Sequence, residues 1–177
     1  MMKVIFLDID GVLNSERLMN RRISEGFKSD CDEELYHNID EIEVERLANF
    51  CEEYNVKIVL SSSWRCWNLE ETIEDLSHLR YKHIHPIIKY IVGVTPRLYV
   101  EKPNGGWNHL DRGHEIQKYI DKHKDIEEYI IIDDDSDMLE GQTNNFLQTD
   151  FRVGLQETDY PKIKQILKLN SFKVEEV

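Results

Sequence analysis

Asp8 and Asp10 stand on either side of Ile9, where the apolar run KVIFL at residues 3–7 ends. Asp133 and Asp134 follow a second such run, YIII at 129–132, and Ser61, Ser62 and Ser63 follow a third, KIVL at 57–60. Carboxylates gathered in one partly dry place cannot all stay ionised and unpaired. A hard divalent cation relieves that repulsion, and an all-oxygen donor set favours magnesium. A generic pair of acids on an acidic protein is better read as a solvated rim. Here apolar runs lead into acids at two separate places, which argues for a built Mg2+ site with Asp8, Asp10, Asp133 and Asp134 as candidate ligands.

For these residues to meet, the runs must be strands of one sheet. Short apolar runs that stop abruptly at polar residues predict buried parallel strands over 3–8, 57–60, 91–95, 129–132 and 146–149. Between them, a helix is predicted from Asp40, with Glu43 in capping-box position, to about Tyr54. Further helices are predicted over 69–80, 84–90 and 113–123, and a last one carries Pro161 in its first turn. Residues 14–39 are polar and irregular and predict a loop or small flap; 96–111, with Pro96, Pro103, Gly105 and Gly106, predict a loop. Strands alternating with helices predict an α/β fold, a Rossmann-like three-layer sandwich with a mostly parallel five-stranded sheet. Ligands of such sheets bind beyond the carboxyl ends of the strands, where Asp8, Asp10, Ser61, Asp133 and Asp134 would gather.

The 177 residues suit one domain over 1–177, and only 14–39 and 66–111 are long enough to insert a small cap or flap. Asp and Glu number 35 against 22 Lys and Arg, a net charge of -13 that disfavours broad contact with a phosphate backbone but permits an end held in a local basic pocket. Cys31, Cys51 and Cys66 are odd in number and form no CxxC pair, so free thiols in a reducing cytoplasm are expected rather than disulfides or zinc. No run of 18 apolar residues exists, and the apolar part of MMKVIFLDIDG is too short for a secretory signal, so a cytoplasmic protein without membrane contact is expected.

DIDGVLN at 8–14, Ser61 after KIVL, and IIDD at 131–134 together resemble the first, second and fourth motifs of the haloacid dehalogenase (HAD) superfamily of phosphohydrolases. SSSWR at 61–65, GVTPR at 93–97, RGHEI at 112–116 and QTDFRVGL at 148–155 further resemble the compact HAD domains of RNA-repair proteins, which are themselves similar to the phosphatase half of polynucleotide kinase-phosphatases. No P-loop is present, so the kinase half is lacking. The resemblance implies a HAD-like fold with a minimal cap and a Mg2+-dependent phosphatase acting on phosphorylated RNA or DNA ends or nucleotides; no obligate protein partner is inferred. Asp8 would be the nucleophile and Asp10 the general acid and base. Ser61 would bond a phosphoryl oxygen. Mg2+ would be held by Asp8, the Asp10 carbonyl and Asp133, with Asp134 beside them. The superfamily's usual lysine has no convincing counterpart; Arg112 holds the corresponding place, with Lys102 as the alternative.

Gly11, Ser62, Arg65 and Arg97 are candidate substrate contacts. For Arg65 and Arg97 an ordinary surface role weighs about equally. Trp64, Trp67 and Trp107 offer faces for a base, although packing is the plainer reading of each. Asp135 and Asp137 suit the turn after the strand better than a metal. His83 and His85, near Arg80 and Lys82, suggest a basic patch or a solvated face, and His114 neighbours Arg112. Three other functions compete: a receiver-like phospho-acceptor domain, a non-catalytic binding module, and a HAD phosphatase for small molecules or phosphoproteins. The serines ending the middle strand disfavour the first.

Overall fold

The computed structural model describes residues 1–26 and 39–169. Five parallel strands form one sheet in the order β3-β2-β1-β6-β7: β1 (Met2–Leu7), β2 (Val56–Leu60), β3 (Ile91–Val94), β6 (Ile126–Asp133) and β7 (Phe146–Gln148). The expected α/β sandwich is therefore present, and every strand pair in this sheet is parallel. The apolar runs are continuous because both faces are covered. From β1, Ile5 and Leu7 join a core with Val44, Leu47, Phe50, Cys51, Ile163 and Leu167 on one side. Val4 and Phe6 join Ile116 and Tyr119 on the other. Phe6 meets the edges of Tyr119 and Tyr129 at centroid distances of 5.7 and 5.8 Å.

Helix α2 (Glu41–Tyr54) starts at Asp40, whose side chain accepts from Ile42 N, and stops at Asn55 in the left-handed region. The capping box expected from Glu43 does not form: Glu43 is buried and pairs with Arg46 instead. On the opposite face lies α5 (Arg112–Lys122). The last helix, α6 (Tyr160–Ile166), has Pro161 in its first turn, and Lys3 Nζ binds the carbonyls of Leu167 and Lys168 just past its end.

Three segments differ in kind or extent from the sequence expectation, beyond shifts of up to three residues at other element ends. The expected flap begins with a helix, α1 (Glu16–Ser24), because Ser15 caps it through Leu18 N and Leu18 is buried as its anchor. The rest of that segment, 27–38 with Cys31, lies outside the described residues. The helix expected over 69–80 ends at Leu76 as α3 (Leu69–Leu76); a 3₁₀ turn (Leu79–Ile84) and α4 (His85–Ile88) complete the crossover, with Pro86 near the start of α4. The loop expected over 96–111 contains an antiparallel hairpin, β4 (Tyr99–Glu101) and β5 (Trp107–His109), turned by Gly105 and Gly106 at positive φ. All residues of both strands are exposed, so no apolar alternation marked them.

Gly93 in β3 lets α5 come close: a Cβ there would lie 2.1 Å from the Tyr119 hydroxyl. Gly93→Ala is expected to destabilise the fold by about 1–3 kcal/mol through overpacking. Adding Tyr119→Phe should recover part of that loss, as read from urea unfolding of the single and double variants.

Candidate active site

The strand ends are knitted into one edge by the backbone. Asp8 N donates to Ile132 O at 3.0 Å, Ser61 N to Leu7 O at 2.8 Å, Thr95 N to Leu60 O at 3.0 Å and Thr149 N to Asp133 O at 2.9 Å. Each residue just past its strand is thus fixed by the neighbouring strand. Asp8 and Asp133 are only 6 % and 1 % exposed, and Ser61 and Ser62 are buried beside them.

One oxygen each from Asp8, Asp133 and Asp134 lies within 4.8 Å of the others. Arg112, at the first position of α5, reaches across them: Nη1 is 3.8 Å from Asp8 Oδ1 and Nε is 3.9 Å from Asp133 Oδ2. These separations are charge contacts, longer than hydrogen bonds. Accordingly Asp8 Oδ1, Asp133 Oδ2 and Arg112 Nη1 are all buried without a hydrogen-bond partner. Two buried acceptors and a buried donor aimed at one spot are costly unless something binds there. Hard oxygen donors and orphaned carboxylate oxygens fit a divalent cation of the Mg2+ type, and the neighbouring arginine fits an anion beside it.

The protonation balance follows from the same burial. Loss of solvation pushes Asp8 up to about 6, against the pull of Arg112 and a hydrogen bond from Ser62. Burial and the Asp8 charge push Asp133 up to about 8. Asp134 is raised more weakly, by partial burial and by Asp135. Asp8 and Asp133 face each other and therefore titrate as a pair.

Gly11 makes the cluster possible. It adopts φ +68°, and a Cβ would lie 2.3 Å from Asp134 Cγ. Its N–H donates to Asn14 Oδ1 at 2.9 Å, and its carbonyl accepts from Thr149 Oγ1 at 2.9 Å. This turn lifts the exposed Asp10 side chain away from the other three acids. Asp10 instead accepts from Asn14, Ser63 and Trp64.

The Ser61–Arg65 segment is held from below. Arg65 is 4 % exposed; it binds Thr95 O and Ser62 O and forms an ion pair with the equally buried Glu115. Glu115 also accepts from Leu98 N at 3.0 Å. Arg97 donates to Ser63 O at 3.1 Å and Arg65 O at 2.8 Å. Of the candidate substrate contacts, Arg65 is thus enclosed by protein partners and Arg97 braces the same segment. The Ser61 hydroxyl receives Thr95 Oγ1 at 3.3 Å, and the Ser62 hydroxyl accepts from Trp64 N at 3.3 Å.

The start of α5 is anchored as firmly. Asp137 Oδ2 accepts from Arg112 N at 2.9 Å, and Gln142 Nε2 donates to Gly113 O at 2.9 Å. Asp135 N donates to Asp133 Oδ1 at 3.0 Å, turning the chain after β6. Lys102 is exposed in the turn of the β4–β5 hairpin. Trp67 and Trp107 are exposed, His114 is exposed on α5, His83 pairs with Glu41, and His85 contacts His78 O. The sequence reading gave no individual role to Glu115, Asn14, Thr95 or Gln142, and it read Asp137 as a turn residue, whereas Asp137 holds the start of α5. No local pattern singles out Glu115, because its partner Arg65 stands 50 residues away.

A family model described as the HAD domain in Swiss Army Knife RNA repair proteins matches residues 4–160. No curated protein matches the chain. Among the described residues, no helix is long and apolar enough to cross a membrane.

The raised carboxyls give the metal-free protein a defined pH response. Their contribution to stability is fully present below the ordinary aspartate range near 4 and is lost as pH rises through about 6 and then about 8. With chelator present, Tm is expected to fall between pH 5.5 and pH 8.5 by ~3 °C or more from this pair. Asp133→Asn should remove most of that fall, and Mg2+ should offset it in the wild-type chain at pH 8.5, as read by thermal melts.

Proposed function

The chain belongs to the family of HAD domains found in Swiss Army Knife RNA repair proteins, and from that premise we propose that it is a Mg2+-dependent phosphatase that works through Asp8 on phosphorylated nucleic-acid ends. The observation that carries the reading is the convergence of Asp8 Oδ1, Asp133 Oδ2 and Arg112 Nη1, three buried and unbonded polar atoms, on one spot at the strand edge. A carboxylate nucleophile, an acidic metal cluster and a fixed guanidinium are the groups that transfer of a phosphoryl dianion requires.

In this reading an Asp8 oxygen attacks phosphorus while the bond to the leaving oxygen breaks, and Asp10 gives that oxygen its proton. The product on the protein is an aspartyl-phosphate. Asp10, now a carboxylate, takes a proton from water as that water attacks phosphorus. The bond to Asp8 breaks, and inorganic phosphate is released. Arg112 offsets charge on the phosphoryl oxygens through its planar guanidinium fork. Ser61 and Ser62 offer hydroxyls to the remaining phosphoryl oxygens. Asp8, Asp133, Asp134 and the Asp10 carbonyl would hold Mg2+, which when bound neutralises the dianion and the acids around it.

Nucleic-acid ends are favoured over small molecules by the family's RNA-repair setting, and among the described residues 96–111 adds only the exposed β4–β5 hairpin. Family membership sets the receiver-like alternative aside. A non-catalytic module is separated from the proposal by one experiment, phosphate release from end-phosphorylated oligonucleotides, mononucleotides and an aryl phosphate, with Mg2+ or with chelator. Asp8→Asn is expected to abolish turnover of every substrate with the fold intact. A variant with wild-type rates would overturn the covalent route.

Arg112→Ala should lower kcat/KM on the order of 10²-fold, as for a lost transition-state donor. Arg112→Lys should recover part of it, because charge returns without the fork. Lys102→Ala should stay within about twofold of wild type, as expected of an exposed hairpin lysine.

A further inference from the structure

Asp10 is exposed, yet it is held like a buried group. The Trp64 indole Nε1 lies 3.0 Å from both of its oxygens, Asn14 Nδ2 donates to Oδ1 at 2.8 Å, and Ser63 Oγ donates to Oδ2 at 3.2 Å. An exposed aspartate ordinarily rotates freely in water. One N–H shared between both oxygens, with a further donor on each, fixes the plane of this carboxylate.

The donors are themselves fixed. Asn14 is tied back by its own Oδ1, which accepts from Gly11 N. The Trp64 backbone is bonded to the buried Ser62, and its ring lies 5.4 Å from that of the buried Tyr81. Its segment is braced in turn by Arg65 and Arg97. The indole N–H is also a donor only. It cannot take up the proton that Asp10 gives away; it can only stabilise the carboxylate that remains.

We propose that Trp64 is a positioning residue for Asp10, aligning its carboxyl toward the leaving oxygen and stabilising the carboxylate formed when the proton departs. The inference rests on the reading of Asp10 as the acid and base of a phosphatase. The proton passes from Asp10 to the leaving oxygen as the phosphorus–oxygen bond breaks. Trp64 exchanges nothing. Ser63 and Asn14 complete the grip.

Because it acts through proton donation, Trp64 matters most where the leaving oxygen is a strong base. Trp64→Phe keeps a ring against Tyr81 and removes the N–H. With Mg2+ present, kcat on a 3′-phosphorylated oligonucleotide, an alkyl phosphate, is expected to fall about tenfold, within the range that acid–base help supplies. The loss on p-nitrophenyl phosphate should be at least about fivefold smaller, and KM for both should be little changed, since alignment acts in the transition state. Asp10→Asn combined with Trp64→Phe should lose little more than Asp10→Asn alone, because the two act as one unit. Ser63→Ala, at an exposed position, should show the same split at about threefold.

Equal losses on both substrates, a loss confined to KM, or a double variant showing the full product of both losses would overturn the inference. If Trp64→Phe does not fold, the Ser63→Ala split decides it alone. Failure of the phosphatase reading looks different: Asp8→Asn would then retain activity, or Asp10→Asn would show no dependence on the leaving group.

Discussion

The repulsion between Asp8 and Asp133 is the constraint around which this protein is arranged. Both carboxylates are buried at the ends of adjacent central strands, and each has an oxygen with no hydrogen bond. Left to themselves, such groups would rotate away, take up protons or admit water. The bonds from Asp8 N to Ile132 O and from Thr149 N to Asp133 O fix the backbone of both residues, and Asp135 N holds Asp133 Oδ1. Arg112 offsets the charge at a distance too long for a hydrogen bond. The strain is therefore kept available for a cation and an anion, and folding stability is given up locally for it.

Much of the surrounding structure keeps Arg112 and the serine segment in place. Asp137 and Gln142 grip the first turn of α5, and Glu115, one turn further along, is buried against Arg65. A buried ion pair of this kind contributes little net stability but strongly disfavours any arrangement that separates its partners. It ties α5, which carries Arg112, to the segment that carries Ser61 and Ser62. The same Glu115 accepts from Leu98, at the foot of the β4–β5 hairpin, so the exposed excursion is rooted in the site as well.

Asp8 and Asp10 are two residues apart and live in different environments. Asp8 is dry, crowded by other acids and faced by a guanidinium. Asp10 is exposed and ringed by three neutral donors. Gly11 separates them, since only a residue without a side chain fits at φ +68° against Asp134. Two carboxylates of one motif can thus take two roles, one as nucleophile and one as proton carrier.

The sequence alone determined the sheet, because a strand covered on both faces needs an unbroken apolar run and the acids and serines mark where each run ends. It also determined the first, second and fourth motifs, whose residues are adjacent or nearly so in the chain. Exposed elements left weaker traces: helix α1 is anchored by the single buried Leu18, and no residue of β4 or β5 is buried. Pairings across the chain left none. Arg65 and Glu115 stand 50 residues apart, and Trp64 and Asp10 stand 54 apart, so neither periodicity nor spacing relates them. Only the crossover of β2 past β1 and the packing of α5 on the sheet brought them within hydrogen-bond distance. Whether an arginine is buried or bound to substrate, and whether a tryptophan stacks on a base or holds a carboxylate, is decided by which neighbour occupies its remaining donors.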